Sequence, residues 1–369
     1  MAAPMGISEI HRHISNRLDE NVIAGKTIAG IIGDSPSQYS KSPALWNAAF
    51  RHLGMNAVYL PFDVVDGRLR DLLRALRDSE QFIGINVTVP HKVRAMDFLD
   101  DLDAGAARIH AVNTVIRNAN GRLIGFNTDG AAFIDSLLLP TPDAQAGFMQ
   151  SLAGIDVLLL GAGGSARAVA FHLSDHLGTG KLIIANRTVA HAQSLADEIN
   201  QLGRPALAID EEAIATWAPK TGLIINSSTK GQGGLRKLSD GMATMLAPYS
   251  ALAPAHPPVV AVDLGDRFEA QWQVAARSDI ATNNRRSATL AAMIPQATRF
   301  YDLIYHPEET VFLHHGRRSG HHAMNGKNMI IRQAVIAFCK HICQPQLAQL
   351  DKDNEATRSQ VADVMYRAW

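Results

Sequence analysis

The stretch DVLLLGAGGSARAVAFHL, residues 156 to 173, decides the fold class. The apolar run Val157 to Leu160 reads as a buried strand and breaks directly into Gly161-Ala162-Gly163-Gly164-Ser165-Ala166, after which a helix starts at once. This is the G-x-G-x-x-A form of the dinucleotide fingerprint. The tight turn and the close approach of backbone to ligand need glycine, and the helix N-terminus then faces a pyrophosphate. Glycines alone would be weak evidence; the strand–turn–helix context carries the reading.

The next strand, KLIIAN (181–186), runs into Asn186-Arg187-Thr188. An NAD site would place Asp or Glu there for the ribose 2′-hydroxyl. This segment has no acid and supplies a guanidinium, which suits a 2′-phosphate, so NADP is the expected cofactor. The plain alternative is an arginine solvated at a helix start.

Working outward, KTIAGIIGD (26–34) reads as a buried strand closed by the turn-forming DSPSQYSKSP. SPALWNAAFRHLG follows as a helix with Ser42 as N-cap, Pro43 at the first position and Gly54 at its end. AVYLPFDV is a second strand. DGRLRDLLRALRD is a helix with Leu69, Leu72, Leu73 and Leu76 on one face, and FIGINVTV is a third strand ended by Pro90. Such alternation implies a largely parallel α/β sheet. Ile7, Ile10, Ile14 and Leu18 stand at helical spacing, which predicts an amphipathic N-terminal extension over residues 7 to 19. Near residue 140 the composition shifts to the loop-like PTPDAQAGFMQSLAG.

The 369 residues suit two domains, and the 47% hydrophobic and 19% charged content is an ordinary globular balance. A formal net charge of zero gives no bulk attraction to nucleic acid or an anionic membrane. No apolar run approaches a membrane span, and the N-terminus lacks a signal-like core. Cys339 and Cys343 lie four apart in an apparent helix, a poor disulfide geometry, so a cytoplasmic location is expected.

The hydride partner needs its own half of the molecule. In order, the chain carries YSKSPALWNAAF, GINVTVPHK, AVNT, GFNTDG, GAGGSARA, NRT, IINSSTKG, YDLIYHPEETVFL and GKNMIIRQA. This series resembles the shikimate dehydrogenase family (shikimate/quinate 5-dehydrogenase) over roughly residues 27 to 340, and nine blocks in one order are far more specific than any one. The resemblance implies an α/β protein: a three-layer N-terminal substrate domain, a Rossmann domain binding NADP, and C-terminal helices packing back on the first. The boundaries expected are 1–129, with residues 1–25 an extension; 130–320, with an insertion near 265–299; and 321–369.

By the same resemblance, Lys92 and Asp129 form the catalytic pair. Ser40 and Ser42 bind the substrate carboxylate, and Thr88, Asn113, Tyr305 and Gln333 complete the pocket. Asn86 belongs to the same motif as a supporting residue. The cofactor is implied to meet residues 161 to 166, Asn186, Arg187, Thr188, Asn226 and Gly326. Pro90 would end its strand at the sheet's carboxyl edge, with Lys92 aimed at the reacting centre. The implied activity is reversible NADPH-dependent reduction of 3-dehydroshikimate to shikimate, in the chorismate route to aromatic amino acids. The partner is a small molecule, with no nucleic acid or membrane, in a monomer or homodimer.

The residue types suit that chemistry. Hydride delivery to a ketone leaves negative charge on oxygen, so a protonated donor must be aimed there. An ammonium supplies the proton and an adjacent carboxylate orients it; which of the two is the formal acid is left open, since coupled groups titrate together. A small carboxylate suits hydroxyls near a helix N-terminus. Plain roles stand beside these: Asp129 as a helix start, Asn226 as a turn former, Tyr305 as an interface aromatic. His314, His315, His321 and His322 lack the cysteine or paired carboxylates of a metal site, and none is expected.

The chain departs from the family's pattern in places. His191 stands where a second arginine is usual, Tyr39 precedes the serines in place of histidine, His306 replaces the asparagine of YNP, and NATS has become NSST. PPVVAVDLG (257–265) stands where a strand is due, and residues 265 to 299 then read as an insertion with a helix in RSATLAAMIPQA. A quinate or dual quinate/shikimate dehydrogenase is the near alternative, and a non-catalytic nucleotide sensor the distant one. The sensor is disfavoured because it would need neither Lys92 nor Asp129.

Overall fold

The structure, a computed structural model, describes residues 10–238, 241–262 and 267–369. It divides into two compact units. One runs to Gly147 and resumes at Met329; the other spans Phe148–Asn328.

The first unit holds β1 (Thr27–Gly33), β2 (Ala57–Asp63), β3 (Phe82–Val87), β4 (Asp101–Leu102), β5 (Thr114–Arg117) and β6 (Leu123–Phe126). The second holds β7 (Val157–Leu160), β8 (Leu182–Ala185), β9 (Ala206–Ile209), β10 (Leu223–Asn226), β11 (Leu235–Lys237), β12 (Met242–Met245), β13 (Val260–Ala261), β14 (Arg299–Asp302) and β15 (Ala323–Met324). Helices of two turns or more are α1 (Ser42–Leu53), α2 (Leu69–Arg77), α3 (Asp129–Leu138), α4 (Gly164–His176) and α5 (Val189–Gln201). They continue with α6 (Phe268–Met293), α7 (Val311–Arg318), α8 (Lys327–Ala337) and α9 (Glu355–Ala368).

The first sheet runs β2-β1-β3-β5-β6-β4, with β2, β1 and β3 parallel. Side-chain alternation along β1 and β2 loads both faces. Ile28, Ile32, Val58 and Phe62 meet the leucines of α2 on one side. Ala29, Ile31 and Tyr59 meet Trp46 and Phe50 of α1 on the other, together with Ile331 and Ala334 of α8 and Val361 and Met365 of α9. The C-terminal helices therefore complete a three-layer unit. Each fully buried Leu or Phe there contributes about 1.5–3 kcal/mol. Against the parallel expectation, β5 pairs antiparallel with both β3 and β6. The β5–β6 hairpin closes at the Asn118–Arg122 turn, where the Asn118 side chain accepts from the Asn120 and Arg122 amides and Gly121 has φ +76°.

The helix expected over residues 7 to 19 does not form as read. Ile7 lies outside the described residues, and helical backbone beyond Ile10 stops within a turn. Ile10 and Ile14 are buried against the α2 face all the same. The segment is held along the outer edge of β2. Ser15 N–H donates to Asp63 O at 2.8 Å, Asn16 Nδ2 donates to Pro61 O at 2.9 Å, and Asn16 Oδ1 accepts from Asp63 N–H at 2.8 Å.

The second unit has a six-stranded parallel sheet, β15-β14-β10-β7-β8-β9. β7 is flanked by β8 and β10, so chain order reverses at its carboxyl end, where doubly wound sheets bind their ligands. PPVVAVDLG does not join this sheet. It contributes the two-residue β13 to a small antiparallel sheet, β11-β12-β13, while residues 263–266 lie outside the described ones. The helix placed in residues 286–297 is instead the 26-residue α6, ending before Ile294-Pro295. Phe268, Trp272 and Ala276 of α6 pack on Tyr249 and Ala243, and Trp272 Nε1 donates to Pro258 O at 2.9 Å.

The expected boundaries also move. Residues 130–147 stay with the first unit: α3 buries Ala132, Phe133 and Leu137, and a Cβ at Gly147 would stand 2.3 Å from Leu138 O. Residues 321–328 stay with the second unit. β15 pairs with β14, and the His321 ring lies 4.6 Å from that of Phe300.

Candidate active site

In the first unit β3 ends at Val87, and the chain turns through Thr88 and a cis Val89–Pro90 bond. Thr88 N–H still donates to Ile32 O at 2.9 Å, and the buried His91 places Nε2 2.8 Å from Val64 O. Lys92 is then pinned through its carbonyl, which accepts from Val112 N–H at 2.8 Å. The next residue, Asn113, leads into β5. Asp129 opens α3, its amide donating to Asn127 Oδ1 at 3.1 Å.

These elements, with α8, bring four predicted residues into one cluster. Lys92 Nζ lies 2.5 Å from Asp129 Oδ2, with side chains 13% and 5% exposed. Asn113 Nδ2 donates to Asp129 Oδ1 at 2.7 Å. Gln333 of α8 places Oε1 3.4 Å from the same Asn113 nitrogen. An ammonium is thus held against one oxygen of a carboxylate whose second oxygen is occupied by an amide, which fixes the orientation of the carboxylate.

The serines lie on the other loop. Ser42 is not the N-cap of α1: the helix starts at Ser42, and the Ser42 amide donates to Ser40 Oγ at 3.2 Å. Lys41, in the cap position, has helical backbone and its side chain makes no cap bond, so Ser40 supplies the oxygen. Ser42 is buried beside Tyr59. Burial holds that phenol well above its ordinary pKa, with a hydrogen bond from Ser42 acting in the opposite sense. Thr88 lies next to Gly33, where a Cβ would come within 2.5 Å of the Thr88 methyl. Tyr59, Thr114 and Thr128 went unnoticed in the sequence, although a polar-tipped tyrosine inside the apolar run AVYLPF was a usable signal.

The nucleotide turn has its own geometry in the second unit. Gly161 has φ +116°, and a Cβ there would stand 3.0 Å from both Ser227 Oγ and Ser228 N. Beyond Gly163 the space is open, and Gly163 offers no side chain to cap α4. Ala166 is buried beneath the turn. This is a cradle that side chains would fill, at the N-terminus of a 13-residue helix, and it fits a pyrophosphate. Asn186, whose Nδ2 donates to Thr188 O at 2.9 Å, is followed by the exposed Arg187 and Thr188. His191 is also exposed.

Two of the residues expected at the cofactor also have structural duties. Asn226 is fully buried: its amide donates to Lys230 O and Asp302 Oδ1, each at 3.0 Å, and its oxygen accepts from Ser228. Gly326 packs so closely that a Cβ would stand 2.0 Å from Leu303 O. Tyr305, half-buried, lies in this unit, three residues after Asp302. Asp302 joins β14, β10 and the start of α7, accepting from Asn226, Ile304 N–H and Thr310 Oγ1 at 2.6–3.0 Å. Burial pushes its pKa up to about 7, with the hydrogen bonds from Thr310, Ile304 and Asn226 pulling the other way. Lys230, paired with Glu211 at 2.8 Å, was also missed.

The histidine cluster is dispersed: His315 Nδ1 meets Ser287 Oγ at 2.8 Å, and the His321 ring lies between the carbonyls of Thr298 and Ala291. Among the described residues no group of three or more His, Cys, Asp or Glu could hold a metal, and no helix is long and apolar enough to cross a membrane.

Residues 31–115 match the model of the shikimate dehydrogenase substrate binding domain, and residues 144–234 that of shikimate / quinate 5-dehydrogenase. The NADP(+) shikimate dehydrogenase of Methanopyrus kandleri is 33% identical over 320 residues, covering 86% of this chain and 91% of that relative. The chain belongs to the shikimate dehydrogenase family. Among solved members, the Thermus thermophilus enzyme in complex with NADP(H) and shikimate superposes with TM-score 0.61 at 26% identity, covering 93% of this chain and 99% of that one. The Corynebacterium glutamicum quinate dehydrogenase in complex with NAD gives TM-score 0.63, also at 26% identity and the same coverage. The second family match ends at residue 234, and the small antiparallel sheet begins at Leu235.

Proposed function

We propose that this chain is a shikimate dehydrogenase, catalysing the reversible NADPH-dependent reduction of 3-dehydroshikimate to shikimate. The observation that carries the reading is the Lys92–Asp129 pair with Asn113 bound to its free oxygen. The cofactor, when bound, supplies the hydride. The turn at 161–166 receives its pyrophosphate and Arg187 its 2′-phosphate.

Lys92 Nζ holds the proton that meets the developing alkoxide, and Asp129 Oδ2 keeps that ammonium on line. In the reverse direction the pair takes the hydroxyl proton. The hydroxyls of Ser40 and Ser42 receive the substrate carboxylate, and Thr88 and Gln333 bind ring hydroxyls. Asn113 acts on Asp129 and orients it.

Initial rates with shikimate and with quinate, each against NADP and NAD, test the reading. Turnover of shikimate with NADP at least tenfold above the other combinations is expected. A preference for quinate with NAD would move the chain to the quinate branch, and no turnover of either would end the proposal.

A further inference from the structure

The polar side chains behind the Lys92–Asp129 pair include a directed chain of hydrogen bonds, with Thr128 Oγ1 and Gln333 as side branches at the Asn113 amide. Each direction follows from a backbone group that cannot reverse. Asn113 Oδ1 accepts from the Thr128 backbone N–H at 2.8 Å, so the atom facing Asp129 Oδ1 at 2.7 Å must be the amide nitrogen. Asn86 Nδ2 faces the Asn113 backbone carbonyl at 3.2 Å, so Asn86 Oδ1 must accept, and the Tyr59 hydroxyl must donate to it at 2.7 Å. Between them, the Thr114 hydroxyl receives Asn86 Nδ2 at 3.1 Å and donates to Asn113 Oδ1 at 3.0 Å. Donation therefore runs from Tyr59 through Asn86, Thr114 and Asn113 to Asp129. All five residues are at most 4% exposed.

We propose that Thr114 and Asn86 are positioning residues for the reaction, holding the Asn113 amide so that Asp129 offers Oδ2 alone to Lys92. The inference rests on the dehydrogenase reading of that pair. Asn86 and Thr114 stand directly opposite in the β3–β5 register, where two apolar β-formers would pack without hydroxyl or amide. Strand formation therefore gives no reason for a polar pair inside this sheet. Successive dipoles aligned on one carboxylate reinforce each other, and the Thr114 hydroxyl adds a second donor to the amide oxygen that the Thr128 N–H orients. The far end of the chain, Tyr59, adjoins Ser42, so it spans from the residue proposed for the substrate carboxylate to the reacting pair.

The test uses Thr114→Val, which keeps shape and loses the hydroxyl, Thr114→Ser, which restores it, and Tyr59→Phe, two links further away. Thr114→Val should lower kcat for shikimate about tenfold, the upper end for one buried hydrogen bond, with KM within about twofold. The deuterium isotope effect on kcat should rise, because misorientation slows hydride transfer itself. Thr114→Ser should recover at least half of kcat, and Tyr59→Phe should lose about threefold. In ¹⁵N-asparagine NMR spectra, the Asn113 side-chain amide resonances should move in Thr114→Val and return in Thr114→Ser. Unchanged kcat and isotope effect in Thr114→Val, with only a lower melting temperature, would make Thr114 a fold residue and overturn the proposal. If the wild type turns over neither shikimate nor quinate, the dehydrogenase reading has failed. The amide spectra then decide the positioning claim alone, and unmoved Asn113 signals refute it.

Discussion

Breaking the Lys92–Asp129 pair from each side separates its energetic and chemical roles. Both side chains are largely withdrawn from water, 13% and 5% exposed, and stranding one charge of such a pair costs roughly 3–5 kcal/mol. Lys92→Met leaves the carboxylate with the Asn113 amide still at 2.7 Å, so the loss should sit at the low end, about 3 kcal/mol. At about 2–4 °C per kcal/mol for a unit of this size, the melting temperature should fall by roughly 6–12 °C. Asp129→Asn strands the more exposed partner, whose flexible stem can turn its head toward water, and should cost about 1–2 kcal/mol. The double variant is a neutral pair and should regain all but about 1 kcal/mol. Turnover behaves differently. Each single change should lower kcat about 10²–10⁴-fold, and the double should be no worse than the weaker single, because the two act as one unit. Urea titration and single-turnover rates read the two cycles. A Lys92→Met enzyme keeping more than half its turnover, or a double variant whose loss is the product of the singles, would refute the reasoning.

Three further outcomes are expected. Arg187→Asp should raise KM for NADP at least about tenfold while sparing NAD, since it reverses one charge-assisted contact; equal losses for both would make Arg187 structural. Because Ser40 Oγ takes the Ser42 amide, Ser40→Ala should cost about 1 kcal/mol of stability in denaturant titration. It should also raise KM for shikimate, but not for shikimate with its carboxylate reduced to an alcohol; equal effects on both ligands would remove the serine from carboxylate binding. Asp302 is raised in the folded state to about 7, so its contribution to stability is full below pH 4 and is lost as pH rises toward 7, on the order of 4 kcal/mol in all. Asp302→Asn, whose oxygen can take the Ile304 and Asn226 donors, should flatten that slope; urea midpoints at pH 4.5, 6 and 7.5 that fall equally in both proteins would exclude Asp302 as its source.

What could be read from the chain follows the range of the physics involved. The turn at 161–166 was legible because strand, glycines and helix are adjacent and each constrains the next. Lys92 and Asp129 lie 37 residues apart, and no periodicity links them; only the ordered motifs did. The full length of α6 was hidden because its buried positions include Asn283 and Ser287, which interrupt the apolar stripe that marks a helix. The N-terminal isoleucines misled for the opposite reason: helical spacing satisfied by a segment that follows a strand edge. Ser42 looked like a cap because serine before proline usually is one, and the oxygen that does it sits two residues earlier.

That N-terminal segment also covers part of an outer strand edge. β2 is the outermost strand of its sheet, and an uncovered strand rim is a template on which another chain can add a strand. Here the rim is stoppered: one asparagine imitates a neighbouring strand with both ends of its amide, Pro61 has no N–H to offer, and the Ser15 amide occupies the Asp63 carbonyl. A chain shortened past Asn16 would keep most of its core yet bare the Pro61–Asp63 end of this rim, while Tyr59 stays paired with the Asn47 side chain. Its defect would appear as concentration-dependent association at ordinary temperature, well before any loss of fold, so the segment's worth is measured in solubility.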